Sequence, residues 1–223
     1  MSAPDLPATI AAPVEHENVV SKSRFIAQAH PVSSPEDAAA IIADIRRQYW
    51  DARHNCLAMI TGVDGDQARS SDDGEPAGTA GAPMLAVLRH RRLTDLVVVV
   101  TRYFGGVKLG AGGLIRAYST ATSDVLDRAT LVRREVLTAA TVCVPHADSG
   151  RLEHLLREWA ASHGSAWDAP AYTAEGVELR LWVPAREHER LRADLAAFSA
   201  GSLGAEFGVE RVVDVPSRGG ALE

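Results

Sequence analysis

Asp72, Asp73 and Glu75 place three carboxylates within four residues, behind Ser70-Ser71 and around Gly74. Oxygens this close can hold Mg²⁺ or act as a general base. The run lacks the D-x-D-x-D-G order with a distant Glu that builds a calcium loop. Adjacent acids in a loop also make turns and accept backbone N–H bonds. Both readings stay open, so Asp72, Asp73, Glu75 and the neighbouring Thr79 are candidate residues of one loop. The other chemistry in the chain is cationic. Gly105, Gly106, Gly110, Gly112 and Gly113 fall within nine residues, framed by Arg102, Lys108 and Arg116. Glycine permits positive φ and close approach to its backbone. A strand, a glycine loop and a helix start, in that order, leave N–H groups free for an anion. The familiar nucleotide motifs fail here. Ala111-Gly112 stands where a P-loop needs Lys and Ser or Thr, and Ile115 where GxGxxG needs its third glycine. No cofactor is expected. His54 and Cys56 share a strand face, but no third group orients them, and packing is the simpler role. HExxH, CxxC and GxSxG are all missing, so no catalytic residue and no metal ligand is assigned. Residue chemistry favours binding over catalysis.

The elements that must hold these residues follow from periodicity. The β-branched run at 96–100 reads as a buried strand leading into the glycine loop. A helix over 114–128 follows, with Leu114, Ala117, Ala121, Val125 and Ala129 at spacings of three and four. Residues 14–31 form one or two strands. Ser34 caps a helix whose stripe is Ala38, Ile41, Ile42 and Ile45, ending near Tyr49-Trp50. Residues 54–60 read as a strand, 62–83 as a long glycine-rich loop and 84–89 as a short helix. From residue 136 the order is βαββαβ: strand 136–144, a helix after Asp148, strands 165–172 and 177–183, helix 187–198 and strand 206–213. That is a split βαβ, or ferredoxin-like, pattern. The expected organisation is a disordered tail at 1–13, one domain at 14–132, a second at 136–214 and a frayed tail at 215–223.

At 223 residues, 46% hydrophobic and 23% charged, the chain has the balance of a soluble globular protein. No apolar run is long enough to cross a bilayer, and no basic segment precedes an apolar one near the start. A cytoplasmic protein with no membrane contact is expected, with a monomer the default assembly. Cys56 and Cys143 are expected as buried, unreactive thiols. The net charge of −6 argues against indiscriminate nucleic-acid binding. Yet residues 89–116 hold six cationic side chains against Asp95 alone, a local +5. A basic patch on an acidic chain suits a specific anionic partner.

The chain resembles the IMPACT/YigZ family. The likeness rests on Lys22-Ser23-Arg24-Phe25-Ile26, on Asp51-Ala52-Arg53-His54-Asn55-Cys56 and on the run from Ser71-Asp72-Asp73 to Thr79-Ala80-Gly81. It continues through Thr101-Arg102-Tyr103-Phe104-Gly105-Gly106 and the run from Leu109-Gly110 to Arg116-Ala117-Tyr118. Ala82 departs from the pattern, because many relatives carry lysine there. The resemblance implies an α/β (α+β) protein: an N-terminal domain of the ribosomal-protein S-five domain-2-like fold and a ferredoxin-like C-terminal domain. It implies a role near translation, since eukaryotic members are associated with a ribosome-bound activator of the amino-acid-starvation kinase. The expected function is a non-enzymatic regulator that binds RNA, the ribosome or a ribosome-associated protein. Its face would comprise Arg24, Arg53, Arg102, Lys108 and Arg116 with the five glycines. Two rivals stand beside it: a metal-dependent hydrolase or phosphate-ligand enzyme built on Asp72, Asp73 and Glu75, and a protein-interaction module without nucleic-acid contact.

Overall fold

A computed structural model describes residues 6–216. Residues 6–134 and 135–214 form two compact units.

In the N-terminal unit, strands β2 (Val14–Val20), β3 (Ser23–Pro31), β4 (His54–Thr61), β5 (Gln67–Ser71) and β6 (Leu96–Tyr103) make one antiparallel sheet. Its order is β2-β3-β6-β4-β5. Central β6 is covered on both faces, which is why its valines read as an unbroken apolar run rather than an alternation. Val98 and Val100 pack with Phe25, Ala27 and Ala29 under helices α2 (Gly81–His90) and α3 (Gly110–Leu126). Val97 and Val99 pack with Met59 under α1 (Pro35–Gln48). The α1 start has the expected cap: Asp37 N–H donates to Ser34 Oγ at 3.1 Å, and Pro35 opens the helix.

Two expectations need correction. Residues 6–13, expected in a disordered tail, contain β1 (Thr9–Ile10), which pairs with Leu131–Val132 at the start of β7 (Leu131–Val144). Ile10 is 2% exposed, and Ala8 exchanges backbone hydrogen bonds with Arg92 and Thr94, so one apolar side chain and two short ladders fix the segment. Residues 62–83 are not one loop. β5 lies inside them, on the sheet edge, where the polar run Gln67–Ser71 needs no apolar alternation.

The C-terminal unit runs β7, α4 (Ser149–Ser162), β8 (Ala166–Trp167), β9 (Ala171–Tyr172), β10 (Val177–Pro184), α5 (His188–Phe198) and β11 (Glu206–Pro216). β10 lies between β7 and β8, β9 also pairs with β10, and β11 pairs with β7. Leu152, Leu156 and Trp159 of α4 and Leu191 and Leu195 of α5 cover Ala140, Val142, Leu179 and Leu181. This is the ferredoxin-like arrangement, and the protein as a whole is the mixed α/β fold that the resemblance implies. Cys143 corrects a further expectation: strand alternation buries its neighbours Val142 and Val144 and leaves its thiol exposed. The expected end segments 1–5 and 217–223 lie outside the described residues.

Candidate functional site

Register gathers most of the candidate residues at one end of the N-terminal sheet. Tyr103, at the end of β6, pairs with Arg24 at the start of β3, and Arg102 pairs with His54 at the start of β4. The β2–β3 turn and the start of α3 belong to the same end, because Gly105 lies against Lys22. A Cβ on Gly105 would stand 2.1 Å from the Lys22 carbonyl oxygen, and the Gly105 N–H donates to Ser23 Oγ at 3.1 Å. Only glycine tolerates that approach.

Helix α3 begins at Gly110, four residues before its apolar stripe. Gly110, Gly112 and Gly113 therefore form its first turn rather than a loop. Side-chain periodicity cannot register residues without side chains, which is why the sequence reads the helix from Leu114. Leu109 gives no side-chain cap, and the first turn holds no acid. The N–H groups at the start of α3 thus face a positive dipole end without an internal anion. Gly106 and Gly110 adopt φ of +87° and +71°, and at Gly106, Gly110 and Gly112 a Cβ would meet nothing within 4 Å. This surface is open.

Arg102 does not frame it. Alternation from Val98 and Val100 turns Arg102 inward, where it is 6% exposed. Its Nη1 donates to Glu75 Oε1 at 2.7 Å and its Nη2 to Ser23 Oγ at 3.4 Å. Tyr118 Oη donates to the same Glu75 oxygen at 2.8 Å, and Cys56 Sγ lies 3.3 Å from Tyr118 Oη. Burial raises the Tyr118 hydroxyl well above the usual phenol range and pushes the Cys56 thiol up to about 12. Cys56 is therefore a packed thiol and no nucleophile. Tyr118 and Ser23 are members of this buried knot that sequence reasoning missed. The available signal was Arg102 itself, since a cation on a covered strand face requires a carboxylate opposite.

The three clustered carboxylates turn to three different internal partners. Asp72 accepts from the N–H groups of Gly78, Ala80 and Gly81 at 2.7, 3.0 and 2.8 Å, closing its loop and capping α2. Burial alone would raise the Asp72 carboxyl, but those three N–H donors outweigh it and hold the group below the usual range. Asp73 accepts from Arg46 at 2.8 Å and from the Asn55 N–H at 2.7 Å. Glu75 holds Arg102. The buried Thr79 hydroxyl donates to the Pro76 carbonyl at 2.7 Å. These oxygens do not converge on one point, so the expected ligand or base cluster is a set of turn and pairing contacts.

Of the remaining cations, Arg24 pairs with Glu17 through two hydrogen bonds of 2.7 and 2.9 Å and lies 5.4 Å from the Tyr103 ring centre. Arg53, Lys108 and Arg116 are exposed and have no ion-pair partner among the described residues. Lys22, at φ +66° in the β2–β3 turn, is equally free and was not singled out from the sequence. Large apolar groups stand beside these charges: Phe104 is 52% exposed, Ile115 42% and Trp50 83%.

Residues 21–126 match the family model of the Impact N-terminal domain. The chain is 40% identical to the IMPACT family member YigZ of Escherichia coli over 196 residues, which cover 86% of this chain and 93% of that one. This chain belongs to the IMPACT family. It is also 47% identical to the IMPACT family member YvyE of Bacillus subtilis over 144 residues, 65% of this chain and 66% of YvyE. A crystal structure described only as that of a hypothetical protein is 36% identical. It covers 92% of this IMPACT chain and 98% of its own, with a TM-score of 0.61. No helix among the described residues is long and apolar enough to cross a membrane.

Proposed function

We propose that this IMPACT-family protein is a non-enzymatic, translation-associated regulator of the cytoplasm that docks RNA on the loop end of its N-terminal unit. Lys22, Arg53, Lys108 and Arg116 meet phosphates, together with the uncapped N–H groups at the start of α3. One observation carries this reading. The acids of the 72–75 loop are all engaged by partners within the chain, whereas Lys22, Arg53, Lys108 and Arg116 are exposed with no ion-pair partner among the described residues.

The test is filter binding of labelled ribosomal RNA, wild type against Lys108→Glu/Arg116→Glu. Wild-type retention is expected to fall steeply as salt rises, and the variant to bind weakly at every salt concentration. Equal retention of both proteins throughout overturns the reading. The exposed Phe104, Val107 and Ile115 favour a second one, a protein partner held by apolar contact. That partner would bind with little dependence on salt and with indifference to both charge reversals.

A further inference from the structure

Trp50 stands exposed just after the end of α1. Tyrosine and tryptophan normally bury most of their rings, yet Trp50 keeps 83% of its surface in water. Its neighbours are hydrogen-bonded on either side: the Tyr49 N–H donates to the Ile45 carbonyl at 2.9 Å and the Ala52 N–H to the Tyr49 carbonyl at 3.0 Å. Asp51, the next residue, accepts from Tyr103 Oη at 2.7 Å, which ties the turn to the end of β6. Tyr103 is followed by Phe104, a second exposed ring. Behind Phe104 the guanidinium of Arg102 lies 5.7 Å from the ring centre, and that same guanidinium is 5.4 Å from Phe25 on its other side. Arg102 thus lies between two rings at cation–π distance from each. The outcome is two exposed aromatic residues on segments linked through the Asp51–Tyr103 contact, close in sequence to Arg53 and Lys108, which have no ion-pair partner among the described residues.

We infer that the RNA bound at this end is unpaired, with bases stacked on Trp50 and Phe104 while phosphates meet the neighbouring cations. The inference rests on the RNA reading above and specifies which form of RNA it concerns. A duplex hides the faces of its bases in its own stack and offers a protein mainly phosphates and 2′-hydroxyls. Exposed rings add nothing to such contacts. Unpaired bases turn their faces outward, and every base has one, so rings beside cations suit single strands of varied sequence. Charge decides against a protein partner as the occupant. Lys22, Arg53, Lys108 and Arg116 are solvent-facing with no ion-pair partner among the described residues, a pattern complementary to a polyanion.

The experiment measures fluorescence anisotropy of full-length protein with labelled oligo(U) and with a blunt RNA duplex of the same length. Wild type is expected to prefer oligo(U). Trp50→Ala and Phe104→Ala should each weaken oligo(U) binding about tenfold, the usual cost of one lost stacking platform, and leave duplex binding unchanged. Trp50→Phe, which keeps an aromatic face, should recover most of the loss. Both side chains lie on the surface, and unchanged melting temperatures verify the folds. If the duplex binds as tightly as oligo(U), or the alanine variants bind oligo(U) like wild type, while Lys108→Glu/Arg116→Glu still weakens binding, the stacking inference falls and the RNA reading stands. If neither RNA binds wild type, or the charge reversals change nothing, the RNA reading itself falls and takes this inference with it.

Discussion

Arg102 and Glu75 form the pair on which the site's geometry depends. Their side chains are 7% and 4% exposed, and they connect the 72–81 loop, β6 and α3 through Tyr118. Removing one partner of a buried pair leaves the other charge without compensation, so Arg102→Leu is expected to lower unfolding stability by about 3–5 kcal/mol. Tyr118→Phe removes one donor to the carboxylate and should cost about 1–3 kcal/mol. Urea denaturation measures both. Asp72 adds a pH dependence whose sign is fixed by its lowered pKa. Its contribution is complete above the ordinary carboxylate value of about 4 and is lost as pH falls through the lower folded value. Asp72→Asn should therefore be less stable than wild type at neutral pH, and the gap should close in acid; urea midpoints across pH report it. The two thiols diverge as well. A chromogenic disulfide reagent is expected to react with one thiol of the native protein, the exposed Cys143, and to reach Cys56 only on unfolding. At this scale, charge and spacing made the basic frame and the acid cluster legible. What they did not reveal was direction, because which way Asp72 or Glu75 points is decided by donors many residues away.

Helix α3 and the loop before it separate two roles of glycine that look alike in the sequence. Gly112 lies in the helix's first turn with open space around it, so Gly112→Ala should raise stability by about 0.4–1 kcal/mol by reducing the freedom of the unfolded chain. Gly105→Ala should do the opposite, since the new methyl group would run into the Lys22 backbone. Thermal melts of the two variants should move in opposite directions. Patterning made most elements readable: the Val run of β6, the Ser34-Pro35 start of α1, and the apolar stripes of α1 and α3. The elements that escaped have weak apolar signatures. β5 is a polar edge strand, β1 is two residues long, and the opening turn of α3 is mostly glycine.

For the molecule as a whole, the distribution of charge matters more than its sum. The chain carries −6 in total, yet Lys22, Arg53, Lys108 and Arg116 are exposed with no ion-pair partner among the described residues. If each meets one phosphate of a single strand, the logarithm of affinity should fall with the logarithm of salt at a slope of about −3. A titration of oligo(U) binding across salt concentrations measures that slope, and Lys108→Glu/Arg116→Glu should flatten it. The two-domain α/β plan was legible because the C-terminal half follows the βαββαβ order and the N-terminal half carries the motifs of the family resemblance. The polarity of the loop end of the N-terminal sheet was only half visible, since the sequence places acids and bases in it side by side.

On the proposed RNA reading, the chain's net charge would also limit how many copies share one strand. Each chain docked as proposed would neutralise a few phosphates but bring its own excess of negative charge, −6 overall. Screening confines that repulsion to about 8 Å at physiological ionic strength, the distance of close neighbours. Crowded occupancy is therefore penalised, and the protein should decorate RNA sparsely, as separate sentinels and never as a continuous coat.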